Sequence, residues 1–575
     1  MFAETLAPVS RAGVRDSKRL NDYREPVKPR PAATVLLLRD AIDTSKGPFE
    51  LLMTRRSATA SFAPGVYVFP GGALDASDGS DEAKAISKVR SSQSAEQCAF
   101  SVAAIREAFE ELGVLLAYRP DGSMADSSEL TRMDRDQNAD FIGQAASHGL
   151  RLAVDQVWWL CHWITDRDLP KRFDARFYVA RMPSGQTPKA DEGEQFEPVW
   201  VSPADALERH DAGQFDMIFP TIRTLRRLAR LSSIDELLAL CSTEKPLFVS
   251  SPRGGHYQNK IERFSEEEMQ FGELELISPD GRVQHVLDWN YAKPVALTRN
   301  VQRLTCPNPG MMTGPGTNTY IVGEPGAYAV IDPGPADDAH VDRIAAAVGN
   351  DLKYILCTHA HPDHSPGAAR LKALTGAPIL GRPWGPRTRR YGIDGPIDVE
   401  EHDPAFVPDR TLEDGERVVI GDSTLMAIHT PGHASNHLCF LIEEDGLLFS
   451  GDHINSGTTV VINPPDGNMK EYLDALERLV QMPVTYILPA HGWVIGFAEM
   501  AMRALVKHRL GREQKVFTVL QSMPGTSVSE LVKRVYDDVN VRLHGVAERS
   551  LLAHLEKLQQ DRRAHSIDGQ WSAVR

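Results

Sequence analysis

The seven residues Thr358-His359-Ala360-His361-Pro362-Asp363-His364 hold three imidazoles and a carboxylate. Neutral imidazole and carboxylate are good ligands for zinc and similar ions, and closely spaced ligands lower the entropic cost of assembling a site. The competing account is a row of surface histidines beside a Pro-Asp turn. Further ligand candidates in similar settings weigh against it: His433 in Thr430-Pro431-Gly432-His433, Asp452 in Phe449-Ser450-Gly451-Asp452, and His491 in Pro489-Ala490-His491-Gly492. Each follows a short apolar run, namely Thr424 to Ile428, Gly446 to Phe449 and Val484 to Leu488. Such runs bounded by Gly or Pro read as buried strands, and ligands at strand ends make a rigid cage.

These residues resemble the metallo-β-lactamase superfamily, whose His-x-His-x-Asp-His signature is accompanied by a later His, a bridging Asp and a final His. The resemblance implies that His359, His361 and His433 hold one metal and that Asp363, His364 and His491 hold a second, with Asp452 bridging them. Two zinc ions or similar divalent metals are the implied cofactors. Asp332, in Val330-Ile331-Asp332-Pro333-Gly334, is similar to the family's early aspartate and is expected to organise a loop rather than ligate. Two metals about 3.5 to 4 Å apart hold a hydroxide, lower its pKa toward neutrality and polarise a leaving group. The expected reaction is hydrolysis, with Asp363 as the acid/base partner.

In the first half, Glu107, Glu110 and Glu111 fall on one face of a helix expected over Ala104 to Val114. Like charges at that spacing repel, so the triplet is either a solvated acidic face or a site for a hard divalent cation such as magnesium. Preceded by Phe69-Pro70-Gly71-Gly72, the run with Arg106, Glu107, Glu110, Glu111 and Gly113 resembles the Nudix box, a magnesium-binding loop-helix-loop. The resemblance spans about Arg30 to Arg230. Its detail is similar to the branch that includes peroxisomal coenzyme A diphosphatases, through Phe62 to Gly72, Trp163-Ile164-Thr165 and Arg172-Phe173-Asp174. It implies magnesium or manganese as cofactor and a small-molecule pyrophosphate such as coenzyme A as substrate. The chain departs from the common box through an insertion of roughly Ala73 to Gln97. That places Cys98 where the box's first glutamate usually stands, with Glu96 out of register. The Nudix half is therefore expected to hydrolyse a pyrophosphate or, lacking that carboxylate, only to sense a nucleotide. Trp158, Trp159 and Trp163, beside Arg167, Arg172 and Arg176, are read as core packing with solvated charges.

Positioning two such sites takes several domains, and 575 residues with 42% hydrophobic and 25% charged composition suit two or three. A formal charge of -15 excludes a surface that is basic all over, so nucleic-acid contact would need a local patch. No apolar run reaches the roughly 20 residues of a membrane span. The first residues mix Arg11, Arg15, Lys18 and Arg19 with Glu4 and Asp16, unlike a secretory signal. Six scattered cysteines without a Cys-x-x-Cys pair fit reduced thiols, and a cytoplasmic protein is expected.

The tail adds a helix over Gln514 to Gln521, a capping box Ser527-x-x-Glu530 opening a second, a third with Leu551, Leu555 and Leu558 as core face, and a hairpin over Arg563 to Val574. Three helices and a hairpin suggest a winged helix. Arg549, Lys557, Arg562 and Arg563 are offset by Glu548, Glu556 and Asp561, which favours a lid or partner surface over a DNA reader.

Together Gly316-Thr317-Asn318-Thr319-Tyr320, the heptapeptide, Gly457-Thr458-Thr459-Val460, Val506-Lys507-His508-Arg509 and this tail resemble the mitochondrial β-lactamase-like endoribonuclease family, departing from it at Ser365-Pro366-Gly367. That resemblance implies single-stranded RNA as one substrate, contacted by Asn318, Thr458 and Thr459. An acyl-thioester hydrolase is the alternative, since such a centre opens thioesters, lactams and phosphodiesters alike. The expected fold is α/β and α+β multidomain. A Nudix α/β/α sandwich over residues 30–230 and a linker with a small hairpin over 231–300 come first. A metallo-β-lactamase αββα sandwich over 301–510 and a winged helix over 511–575 follow.

Overall fold

The computed structural model describes residues 13–58, 63–190, 195–385 and 402–574; Glu4, Arg11 and Phe62 lie outside them. The described chain divides into two compact units, one from Pro26 to Pro252 and one combining residues 13–25 with Arg253 onward.

The first unit is built on a mixed sheet containing β1 (Arg30–Asp40), β2 (Phe49–Arg56), β3 (Trp158–Ile164) and β4 (Phe173–Arg181). Strand β1 runs parallel to β4 and antiparallel to β2. Side chains alternate across the pleat. Val35 and Leu37 therefore pack against Ile105 and Ala108 of helix α1 (Ala95–Leu112), while Leu36 and Leu38 join Leu225 and Leu237 of helices on the opposite face. The result is the α/β/α sandwich expected. Helix α1 starts earlier than the predicted Ala104 because Ser94 and Gln97 close a capping box there, and it ends on Gly113 in the left-handed conformation.

Trp163 packs edge-on against Phe219 and Phe248, as a core residue should. The arginines beside it differ from expectation, because Arg172 and Arg176 are buried rather than solvated. Arg172 donates to the Thr165 and Val27 carbonyls, and Arg176 lies over Phe100 and Trp159 and bonds Glu96 at 2.6 Å.

The second unit has two sheets. Strands β5 (Asn318–Glu324), β6 (Ala327–Ile331) and β7 (Leu352–Leu356) belong to one of seven strands. Strands β8 (Ser423–His429), β9 (Leu438–Ile442), β10 (Leu447–Gly451) and β11 (Tyr486–Pro489) belong to one of five. Val322, Ile331 and Leu356 meet Leu425, Phe440, Phe449 and Leu488 between the sheets. Helices Asp338–Val348 and Gly367–Thr375 cover one outer face, and Met469–Val480 covers the other. This is the αββα sandwich. The segment before Pro26 is strapped onto it: Val14 enters the inter-sheet core, Arg15 pairs with Asp445 at 2.8 Å, and buried Lys18 pairs with Glu324 at 2.6 Å.

Residues 231–300, read as a linker, carry the hairpin of Arg253–Tyr257 and Lys260–Phe264 and also helices Ile234–Cys241 and Phe271–Ile277. Leu237 belongs to the first unit's core, and Leu276 and Ile277 to the second's. Gly511, read as the start of the tail, lies inside one helix, α2 (Ala498–Ser522). A single interior glycine costs a helix only about 1 kcal/mol relative to alanine, and this helix is packed at both ends. Ala498 and Met502 join the sandwich, while Val516 and Leu520 join the tail's core.

The tail continues with α3 (Val528–Val535), α4 (His544–Gln560) and the hairpin of Ala564–Ile567 and Gln570–Ala573, with Leu551, Leu555 and Leu558 buried. Ser527 caps α3 differently from the predicted box, since its hydroxyl donates to the Glu530 carboxylate at 3.1 Å instead of accepting an amide.

Candidate metal centres

Every ligand candidate of the second unit lies just beyond a strand. The heptapeptide follows β7, Asp332 follows β6, His433 follows β8, Asp452 follows β10 and His491 follows β11. Asp332 adopts a positive φ of 51° and accepts the Thr358 amide at 2.7 Å, the Thr358 hydroxyl at 2.8 Å and His364 Nδ1–H at 2.8 Å. It ties the β6 end to the heptapeptide, as a loop organiser would.

His359, His361, His433 and Asp452 present ligand atoms all within 4.8 Å of one another, and Asp363, His364 and His491 form a second such group. His361 Nδ1 faces His359 Nε2 at 2.9 Å and His433 Nε2 at 3.0 Å. Asp452 lies 3.5 Å from His433 Nε2, 3.6 Å from His364 Nε2 and 3.2 Å from His491 Nε2. Asp363 lies 3.4 Å from His364 Nε2 and 3.3 Å from His491 Nε2.

This donor set fits divalent cations. Three ring nitrogens converge where one proton can satisfy only one pair, and His364 Nε2 is buried without a hydrogen-bond partner. Other ring nitrogens are anchored from behind, His433 Nδ1 donating to the Val461 carbonyl at 2.8 Å and His491 Nδ1 to that of Gly316 at 3.2 Å. Burial and neighbouring imidazoles hold His359 and His361 well below the usual histidine range. Burial opposes protonation of His491, but Asp452 and Asp363 push it up to about 10. Cation binding would displace such protons.

A cleft of about 580 Å3 opens beside His361, Asp363, His433 and Asp452. Thr458 and Thr459, both exposed, line it, and so do Leu543, Val546, Ala547, Arg549 and Ser550 of the tail. Asn318 does not. It is fully buried, and its amide group donates to the Pro489 and Gly492 carbonyls at 3.0 and 2.9 Å, gripping the turn that carries His491. A side chain so enclosed holds the scaffold and cannot touch substrate. Arg549 lines the cleft, and Lys557 pairs with Glu513 and Asp561.

In the first unit, Glu107, Glu110 and Glu111 are buried on α1. Arg106 bonds Glu107 at 2.9 Å and Glu110 at 3.0 Å, while Glu111 accepts the Gly71 amide at 3.0 Å. Gly72 packs against Glu107 so closely that an added Cβ would lie 2.4 Å from its carboxylate, so the glycine turn is part of the site. Burial pushes Glu107 up to about 7 against the pull of Arg106.

Cys98 is buried in the first turns of α1 and is no substitute for a carboxylate. A carboxylate not singled out in the sequence is Asp78, which is buried in the insertion and bonds Arg106 Nε at 2.9 Å and a terminal nitrogen at 3.1 Å. An acid shortly after the Gly71-Gly72 turn was its only signal. Among the described residues, the clusters that draw ligand atoms within 4.8 Å are the two of the second unit, and the Nudix glutamates Glu107 and Glu110 are bonded by Arg106 instead.

Comparison with known proteins accords with this architecture. The Metallo-beta-lactamase superfamily matches residues 312–491, the Beta-lactamase associated winged helix domain 527–571 and the NUDIX domain 28–219. The chain is 30% identical over 280 residues to the lactamase-like protein aptB of Emericella nidulans, spanning 46% of this chain and 83% of that one. It is 29% identical over 271 residues to the beta-lactamase-like protein 2 homolog of Drosophila melanogaster, spanning 46% and 89%.

Similar solved structures include a metallo-beta-lactamase family protein from Thermus thermophilus, with TM-score 0.41, 21% identity, and coverage of 48% and 100%. A NUDIX hydrolase from Alicyclobacillus acidocaldarius has TM-score 0.34, 26% identity, and coverage of 37% and 96%. The chain is a metal-dependent hydrolase. It belongs to the metallo-β-lactamase superfamily and carries a Nudix domain before that region and an associated winged helix after it. No helix among the described residues is long and apolar enough to cross a membrane.

Proposed function

We propose a bifunctional hydrolase in which the second unit cleaves an acyl thioester and the Nudix unit cleaves a small-molecule pyrophosphate such as coenzyme A. The observation that carries the first half is the make-up of the cleft. Beside the histidines and aspartates its apolar lining includes Met311, Met312, Val539, Leu543, Val546 and Ala547, and Tyr536, His508 and Asn463 also face it. An apolar wall suits an acyl chain, whereas single-stranded RNA asks for a basic track with stacking aromatics. The cleft's Arg512 is already paired with Asp538 at 2.7 Å, and Arg509 is buried. Arg549, Thr458 and Thr459 are what favour RNA as the second reading.

His359, His361, His433 and Asp452 would hold one zinc ion, and Asp363, His364 and His491 the other, with Asp452 between. Bound there, the pair supplies an activated water at neutral pH and a Lewis acid for the carbonyl oxygen. Asp363, held beside His364 and His491, is positioned to take the proton of the attacking water and return it to the departing thiolate. The tail's α4 contributes Val546, Ala547, Arg549 and Ser550 to the cleft wall. In the Nudix unit, Glu107, Glu110 and Glu111 would bind magnesium or manganese, oriented by Arg106 and Asp78. We place both reactions in the cytoplasm, where the six buried free cysteines would stay reduced.

The test uses the full-length protein with zinc and magnesium against an acyl-coenzyme A, a neutral acyl thioester, a short single-stranded RNA and coenzyme A. Thioester cleavage with intact RNA is expected, and RNA cleavage with intact thioesters would overturn the acyl reading. Release of the adenosine 3',5'-bisphosphate half of coenzyme A, abolished by Glu110→Gln, is expected of the Nudix unit. Binding without turnover would reduce it to a sensor.

A further inference from the structure

The run Val506-Lys507-His508-Arg509 sits midway along α2, and Arg509 alone of these four is buried. Its guanidinium lies over the Tyr472 ring at 5.2 Å, and a terminal nitrogen donates to the Val460 carbonyl. The next residue in that loop, Val461, supplies the carbonyl that accepts His433 Nδ1–H at 2.8 Å. That bond leaves Nε2 of His433 as the nitrogen facing His361 and Asp452. Only two backbone carbonyls thus separate Arg509 from a candidate metal ligand.

Around it, Gly457, Thr458 and Thr459 are exposed, and Arg509 and the burial of Val460 and Ile462 are among the restraints on the loop. One turn along α2, buried Glu513 pairs with Lys557 of α4 at 3.0 Å and with Arg563 at 3.4 Å. The same helix therefore grips the tail with one buried side chain and the loop behind His433 with another.

We infer that Arg509 is a positioning residue for the metal centre: it pins the 460–461 peptide so that His433 presents Nε2, and through α2 it makes the tail's docking a condition of a well-formed site. The inference rests on the metal-binding reading above. It gives the tail a role that needs no nucleic acid, since the helix carrying it is the rigid member that backs a ligand. Partners that orient a ligating imidazole are worth roughly 10- to 100-fold in metal affinity, and Arg509 acts one peptide further out.

The experiment measures cobalt and zinc affinity of the full chain by competition with a chromophoric chelator, and records the cobalt visible spectrum. Arg509→Met, which keeps the stem and removes the donors, is expected to weaken binding roughly tenfold and alter the spectrum. Arg509→Lys, still able to reach a carbonyl, should recover most of both. In a His433→Ala background the Met substitution should weaken binding no further, because its effect passes through that imidazole. Should Arg509→Met fail to fold, Arg509→Gln, polar but too short to reach Val460, replaces it, and the metal-free melting temperature of each variant separates unfolding from loss of affinity.

Equal affinity in Arg509→Met and wild type, or an undiminished effect without His433, would overturn the inference. A wild-type chain that binds no cobalt or zinc would instead overturn the reading on which it rests.

Discussion

The two candidate centres solve opposite electrostatic problems. In the second unit, five strand ends bring imidazoles and carboxylates together, and His364 Nε2 is left without a hydrogen-bond partner. In the first unit the three glutamates share one helix, and Arg106 already bonds Glu107, Glu110 and Asp78 while Glu111 accepts the Gly71 amide. A site whose polar atoms stay unsatisfied gains more from a cation than one whose charges are already matched. The C-terminal centre should therefore retain its metals through chelation and gel filtration, while the Nudix site should exchange its ion freely. Metal analysis after such treatment checks this.

The sharpest way to break the contrast is Asp363→Asn. It should lower C-terminal hydrolysis by about 10²- to 10⁴-fold, the range for losing a general acid/base, and leave pyrophosphate cleavage unchanged in parallel assays. Next comes Asp78→Asn, expected to weaken magnesium-dependent pyrophosphate turnover roughly tenfold or more by releasing Arg106, whereas Cys98→Ala should leave it nearly intact. Steady-state kinetics on the two variants decides whether Asp78 is the missing carboxylate.

A titration gives a smaller effect. With burial lifting its carboxyl to about 7, Glu107 is protonated below that pH and ionised above it. Magnesium must displace that proton, so affinity should rise by up to ~10-fold per pH unit below about pH 7 and level off above it, as calorimetry from about pH 5.5 to 8.5 would show. The smallest effect expected is on stability. Asn318→Ala removes the donor to the Gly492 carbonyl and one of two donors to the Pro489 carbonyl, which Tyr320 still serves, and should cost about 1–3 kcal/mol in urea unfolding.

The heptapeptide was legible because its ligands are neighbours in sequence, and His433, Asp452 and His491 because each follows an apolar run that became a strand. Both sandwiches were implied by the family resemblances that these motifs carry. Asp78 was not legible, because its meaning depends on a contact with Arg106 across the insertion. Asn318 was named as a substrate contact through the endoribonuclease resemblance, and a motif match does not say which way a side chain points; here the amide faces inward and donates to backbone carbonyls. Gly511 misled for the converse reason, since local helix propensity is outweighed by packing against two cores.

The strap formed by Val14, Arg15 and Lys18 bears on any attempt to divide the polypeptide. The chain leaves the second unit near Glu25 and rejoins it at Arg253, so the Nudix module is spliced into its partner's covalent path at both ends. A single protease nick at either junction would leave the module tethered through the other, and a fragment begun at Arg253 would expose the surface that the first residues normally cover.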